Sequence, residues 1–301
     1  MKYKRCSEWP RCPRQLRTLH FFAFALLLPS LSIAQTARPV APETVTIPSG
    51  NLYLKAFLWR PVGNGALPAV LFNHGSGSDA GHTAGMTMTE AAEKLAPVFL
   101  KHGYAFLYLF RRGQGLSVGQ GLYMGDVLRR EEAAKGAEPS QHLQFVLLNT
   151  EHLDDVMEGL AFLKSARGID PYRLAVVGHS FGGQLTLLAA ERDAAIRAAV
   201  AFDGAAHHSW ARSAEVRERL LTAIRSAAPP VMLIQASNDY STAPSRALAD
   251  ELERLRKPYV LKIYPSVGQT ADDGHNAVYT AISVWEQDVF QFLDKYVKPT
   301  P

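Results

Sequence analysis

Cysteine is almost absent. Only Cys6 and Cys12 carry a thiol among 301 residues, and both fall before residue 35. Residues 35–301 therefore admit no disulfide, no thiolate-bound metal and no cysteine nucleophile. Long apolar runs are absent too. The run 19–28 is interrupted by His20. It is shorter than the roughly 17–25 apolar residues that spanning requires, so no stable membrane anchor is expected. Charge of one sign is also lacking over most of the chain. The net charge is +4, but six of the 32 Lys and Arg residues and one of the 28 Asp and Glu residues lie before residue 35. The rest carries 26 basic against 27 acidic side chains, which gives no basic surface for nucleic acid. Gly113-x-Gly115 lacks the third glycine and the following helix of a nucleotide-binding loop. There is no internal repeat and no linker.

What is present begins with a leader. Lys2, Lys4, Arg5, Arg11, Arg14 and Arg17 precede the apolar run, Pro29 ends it, and Ser32-Ile33-Ala34 offers small residues at signal-peptidase positions. We expect residues 1–34 to be a signal peptide cut before Gln35. The mature protein is then exported, periplasmic or secreted. Without a cysteine at the cut, lipid anchoring is not expected.

Residues 35–301 read as one domain. Residues 35–43 are rich in Pro and Ala and read as a mobile arm. Residues 44–48 and 52–59 alternate apolar and polar side chains around Ser49-Gly50-Asn51, the pattern of an antiparallel hairpin. Continuous apolar runs follow at 69–73, 104–110, 174–177, 198–202, 231–235 and 259–264, as in strands buried on both faces. Between them lie helix-period stretches. Leu153, Val156, Met157, Leu160 and Leu163 share one face, with Thr150 as the expected cap. Helices are also expected over 184–192, 245–256 and 278–296. This alternation predicts an α/β fold, a mostly parallel sheet with helices on both faces. Residues 118–148 do not fit it. They contain a charged helix over 126–135 and a second short segment, and read as a small cap insertion.

Two stretches match G-x-S-x-G. Gly178-His179-Ser180-Phe181-Gly182 follows a buried strand directly and runs into a helix, the turn that lifts a serine hydroxyl above a sheet. Gly115-Leu116-Ser117-Val118-Gly119 has no helix after it and reads as loop. Ser180 is the candidate nucleophile.

Five pieces, in order, are Asn73-His74-Gly75-Ser76-Gly77, Arg112-Gly113-Gln114-Gly115-Leu116-Ser117, Gly178-His179-Ser180-Phe181-Gly182-Gly183, Asn238-Asp239 and Gly274-His275. Together they resemble the α/β-hydrolase superfamily, and within it the secreted, serine-nucleophile members of the dienelactone hydrolase-like group. The resemblance implies the α/β-hydrolase fold, no cofactor and no metal. Dienelactone hydrolases proper have cysteine where this chain has Ser180, which favours ordinary ester chemistry over dienelactone cleavage.

The chain order of that fold, Ser then acid then His, points to His275 as the base. Asp239 is the acid that orients it, with Asp203 as an alternative position. Asp272 and Asp273 read as solvated turn residues. The oxyanion donors implied are the backbone N–H of Phe181 and that of Ser76, or else Gly75. His74 and His179 shape the site without titrating. Arg111 and Arg112 either hold a substrate carboxylate or pin their own loop through backbone carbonyls. His207 and His208 read as pocket lining rather than metal ligands, because no third ligand lies at metal spacing. The expected function is hydrolysis of small soluble carboxylic esters through an acyl-enzyme. The rivals are a serine peptidase for short peptides, of the oligopeptidase type, and a non-catalytic binding member of the fold.

Overall fold

The computed structural model describes residues 41–63, 65–207 and 209–298. The expected signal peptide, its cut before Gln35, and His208 lie outside them. The described residues form ten strands: β1 (Glu43–Ser49), β2 (Leu52–Trp59), β3 (Leu67–Asn73), β4 (His82–Thr83), β5 (Met86–Thr87), β6 (Ala105–Leu109), β7 (Ile169–His179), β8 (Ile196–Phe202), β9 (Val231–Ala236) and β10 (Tyr259–Tyr264). All but β4 and β5 join one sheet in the order β1-β2-β6-β3-β7-β8-β9-β10. The hairpin pairs antiparallel with itself and with β6. Every other pairing in the sheet is parallel.

The helices are α1 (Met88–Lys101), α2 (Met124–Lys135), α3 (Ala137–Asn149), α4 (Glu151–Ser165), α5 (Phe181–Arg192), α6 (Ser209–Arg212), α7 (Ala214–Ser226), α8 (Ala243–Arg254), α9 (Ala271–His275), α10 (Ala277–Thr280) and α11 (Ile282–Val297). Side chains alternate across a strand, so β3 sends Ala69 and Leu71 to one face and Val70 and Phe72 to the other. The first pair joins a core with Leu160 of α4, Leu188 of α5 and Leu220 of α7. The second joins a core with Leu95 of α1 and Trp285 and Val289 of α11. Both faces are thus covered, which is why the central strands are apolar throughout rather than alternating. No helix among the described residues is long and apolar enough to cross a membrane.

Four expectations need correction. The first strand begins at Glu43, one residue before the expected start and inside the stretch read as an arm. The second segment of the cap is a full 13-residue helix, α3, rather than a short one. Thr150 stands at the N-cap position of α4 as expected but makes no side-chain capping bond; its hydroxyl donates back to the Val146 carbonyl at 2.8 Å, because α3 runs up to it. The final helix is not continuous over 278–296. It breaks at Ala281, between α10 and α11.

Candidate active site

Ser180 sits at the turn from β7 into α5 with φ +55° and ψ −118°. A non-glycine residue in that region costs on the order of 1–3 kcal/mol and persists only where its surroundings fix it. Here its N–H donates to the Phe202 carbonyl at 2.8 Å. The flanking glycines make the turn possible. A Cβ on Gly178 would lie 2.3 Å from the Gly182 carbonyl oxygen, and one on Gly182 would lie 2.0 Å from that of Asn73.

The sheet brings the three expected side chains together. His275 Nε2 lies 2.9 Å from Ser180 Oγ, and His275 Nδ1 lies 2.8 Å from Asp239 Oδ1. Asp239 has no exposed side-chain surface, and only 10% of the His275 side chain is exposed. Asp239 Oδ1 also accepts from the Tyr240 N–H at 2.6 Å, and Oδ2 accepts from Gln235 Nε2 at 2.7 Å. Burial acts to raise the Asp239 pKa. The hydrogen bond and charge of His275, with further bonds from Asp203 and Gln235, outweigh it and hold the carboxyl below its usual range. Asp239 is therefore the ionised acceptor that fixes the Nδ1–H tautomer and leaves Nε2 free to take a proton.

Asp203, the alternative acid, ends β8 one layer behind. It is 1% exposed and held at φ +57°. Burial first, and then the neighbouring Asp239, push its pKa well above the carboxylate range. Among the described residues, Asp203, Asp239 and His275 are the group whose spacing suits a metal, with one donor atom from each within 4.8 Å of the others. Asp239 and His275 are already joined by their own hydrogen bond.

Two buried histidines prepare the surroundings. His179 Nε2 donates to the His275 carbonyl at 2.7 Å and so fixes the backbone that carries the base. Burial, with the charge of His275, drives its pKa down to about 3, so it stays neutral. His74 donates from Nδ1 to the Gly75 carbonyl at 2.7 Å. Burial, then Arg111, hold its pKa well below the usual value.

Arg111 pins a loop through a backbone carbonyl, as one of its two expected roles had it, but the loop is the one after β3 rather than its own. Fully buried, it donates through Nη2 to the Gly75 carbonyl at 2.9 Å. Burial lowers its pKa to about 10, which leaves it charged at neutral pH. A trans peptide sets its N–H opposite its carbonyl. Fixing the Gly75 carbonyl toward Arg111 therefore turns the Ser76 N–H away from it, on a loop that lines the cavity above Ser180. Gln114 Nε2 takes the Ser76 carbonyl at 2.5 Å in the same way. The Phe181 N–H, first in α5, has no acceptor within its helix. The Phe181 N–H, with that of Ser76 or else Gly75, can thus offer two donors to one oxyanion, and the Gly75 carbonyl goes to Arg111. Arg112 turns away from the site and clamps Asp155 through Nε at 3.0 Å and Nη2 at 2.7 Å.

The cavity is about 450 Å³, within the range of small-molecule sites. Its walls include Leu128 and Glu132 of α2, Gln141 and Gln144 of α3, and Gln184 of α5. The cap helices thus form part of the site. His207 lines it as expected, with its ring centroid 4.3 Å from that of Tyr240. Two features went unread in the sequence. Tyr240 packs its ring 5.4 Å from the His275 ring and donates its hydroxyl to Asp272. Asp272 is exposed as expected but lies in the first turn of α9 and is also the partner of Tyr240, whereas Asp273 caps α9 through Thr270. No spacing rule flags a tyrosine beside the acid. Gln184 carried a weak signal, since it lies one helical turn after Ser180.

Fold and site together define an α/β-hydrolase. The chain belongs to the dienelactone hydrolase family, whose sequence profile matches residues 114–297. It is 30% identical over 162 residues to the quorum-quenching protein AidA of Acinetobacter baumannii (strain MDR-ZJ06), a match covering 54% of this chain and 43% of that protein. The chain thus spans less than half the length of that relative. Among solved structures, the Pyrococcus horikoshii acylaminoacyl peptidase superposes with a TM-score of 0.64 at 18% identity, covering 88% of this chain and 43% of that one. Dienelactone hydrolase from Anabaena variabilis ATCC 29413 gives 0.60 at 21% identity, covering 86% and 100%. These two share the fold.

Proposed function

We propose that this hydrolase cleaves carboxylic esters of small soluble substrates, with Ser180 as nucleophile. The observation that carries the reading is the chain of two hydrogen bonds from Ser180 Oγ through His275 to the buried Asp239. Ser180 Oγ attacks the acyl carbon as its proton passes to His275 Nε2. The carbonyl oxygen becomes an oxyanion held by the Phe181 and Ser76 N–H groups. On collapse the bond to the alcohol oxygen breaks, and His275 returns the proton to that oxygen. Water repeats the sequence on the acyl-enzyme, releasing the acid and restoring Ser180. The leader supports export as the setting for this activity.

The test is labelling with a fluorophosphonate, together with a panel of p-nitrophenyl esters, a lactone (the family's name calls for one) and aminoacyl anilides. We expect Ser180 to be labelled and the esters to turn over, with both lost in Ser180→Ala. Faster cleavage of the anilides than of the esters would make the protein a peptidase. A properly folded protein that never labels is a binding member of the fold.

A further inference from the structure

His275 needs support that its own segment cannot supply. It ends α9, a helix of five residues, far below the roughly 12–15 that an isolated helix needs. The segment leading to α9 leaves β10, the edge strand, whose six residues are all only part-buried. Asp239 follows β9 instead, and all six residues of that strand are buried. The acid is thus held by the core of the sheet, while the base hangs from its margin.

The residues around Asp239 bind that segment in order. The Ser237 N–H donates to the Tyr264 carbonyl at 2.8 Å. Asn238 then makes three bonds with its side-chain amide. Nδ2 donates to the Val267 carbonyl at 2.8 Å and to the Thr270 carbonyl at 2.7 Å, and Oδ1 accepts the Val267 N–H at 2.9 Å. Both amide hydrogens and the oxygen are engaged, which leaves the side chain one orientation. Thr270 is the N-cap of α9, and its carbonyl also accepts the Gly274 N–H at 3.2 Å, within the turn that delivers His275. Beyond the acid, the Tyr240 hydroxyl reaches Asp272. Gly274, just before the base, passes directly against Asn238 and Asp239. A Cβ there would lie 2.7 Å from Asn238 Oδ1 and 2.8 Å from the Asp239 nitrogen. Asn238 itself lies outside the cavity lining, so its bonds act on the protein and not on a substrate.

We propose that Asn238 is a positioning residue, which holds the α9 segment in register with Asp239 and so sets the length and direction of the Asp239–His275 bond. This rests on the ester-hydrolase reading above. Releasing the segment lets the imidazole drift from its acid, and a displacement of about 1 Å can cost on the order of 100-fold in rate.

The experiment is a double-mutant cycle. Asn238→Ala is made in the wild type and in Asp239→Asn, and turnover of p-nitrophenyl butyrate is measured above a Ser180→Ala blank. In the wild type the substitution should lower kcat about 10–100-fold and change KM by less than about threefold. In the Asp239→Asn background it should cost less than about threefold, because the bond through which it acts is already lost. Equal losses in both backgrounds would make Asn238 a structural residue only and overturn the proposal. An unchanged kcat in the folded single variant would also overturn it, as would a rise in KM at constant kcat. If Asn238→Ala does not fold, Asn238→Asp goes through the same cycle with the same expected and overturning results. It keeps the shape and the acceptor for the Val267 N–H but can donate to neither carbonyl. A wild type that turns over esters but fails the cycle loses the positioning role alone. A wild type that turns over no ester loses the ester-hydrolase reading and the positioning role together.

Discussion

Asp203 and Asp239 set two carboxyl groups against each other behind His275, and the pair is asymmetric. Asp239 is held ionised by its bonds to His275, Tyr240 and Gln235, while burial and that neighbouring charge keep Asp203 protonated. Two neighbouring buried carboxyls cannot both ionise cheaply, so the raised pKa falls on Asp203, whose oxygens receive no hydrogen bond. The linkage signs are opposite. In the unfolded chain Asp203 loses its proton near pH 4. Its native pKa is raised, so its contribution is complete below that pH and declines as pH rises toward the native value. Asp239, with its pKa lowered, contributes above about pH 4 and loses that contribution as pH falls through the depressed native value. Asp203→Asn keeps a donor beside Asp239 and removes the proton uptake. Thermal unfolding should therefore show the Asn variant gaining on wild type as pH rises from about 5 toward the raised native pKa of Asp203, with kcat within about tenfold. A gap that stays constant as pH rises would mean Asp203 is already ionised in the fold. Asp239→Asn should instead lower kcat by roughly 10³–10⁴-fold, because the imidazole loses its orienting acceptor.

The two G-x-S-x-G serines give a matched pair. Ser180 meets His275 in the cavity, whereas Ser117 is buried and its Oγ accepts the Lys55 N–H at 2.8 Å, tying a loop to β2. Ser180→Ala should lower kcat by about 10³–10⁶-fold and leave the melting temperature near wild type. Ser117→Ala should leave kcat intact and cost about 1–2 kcal/mol, because a buried N–H loses its acceptor. Denaturant unfolding and ester turnover on both variants check this. Loss of turnover at Ser117 with unchanged stability would invert the assignment.

The contrast between those serines was legible in the sequence because one follows a run of buried apolar residues and the other follows glycines. The same signal located the strands of the main sheet: continuous apolarity marks strands covered on both faces and alternation the half-covered hairpin, but the run 259–264 forms the edge strand β10, whose six residues are all only part-buried, so there the expected two-sided cover fails. Periodicity is blind to breaks that satisfy the pattern on either side, so the stop at Ala281 was missed. Thr150 misled because a cap residue is read from the helix it precedes, while its hydroxyl went to the helix it follows. Contacts distant in sequence carried no signal at all. Nothing in the residues near Arg111 shows that its guanidinium meets the Gly75 carbonyl, 36 positions away, and nothing near Asp239 shows that Tyr240 reaches Asp272.

The Arg111 contact makes its own prediction. The guanidinium orients the Gly75–Ser76 peptide from behind and has no place in the cavity. Arg111→Met should release that peptide and weaken oxyanion stabilisation. We expect kcat to fall by about 10–10³-fold, with KM changed little, since the donor acts most strongly on charge present only in the transition state. Arg111→Lys should recover only part of the loss, because one ammonium cannot reproduce the planar fork. Steady-state kinetics on both variants, alongside melting temperatures, separate this from simple destabilisation. A rise in KM at constant kcat would instead place Arg111 in substrate binding.

The cap decides how large a substrate is served. An enzyme working at an oil surface needs an apolar face to present to the lipid. Here α2 carries Asp126, Arg129, Arg130, Glu131, Glu132 and Lys135, and its only buried residue is Met124. Arg129 pairs with Asp126, and Lys135 pairs with Glu131, along its outer face. Moving those groups out of water costs more than Val127 and Leu128 could return at about 25 cal/mol per Å² of apolar surface. The cavity beneath is about 450 Å³ and carries amides where a fatty chain would need methylenes. A long acyl chain would strand those amides without partners and leave its own end in water. Across a series of unsubstituted p-nitrophenyl esters, kcat/KM should therefore peak at short acyl chains and decline steadily with length. Emulsified long-chain triglyceride should turn over more slowly than a dissolved butyryl ester, and the reverse order would show that the cap opens onto lipid.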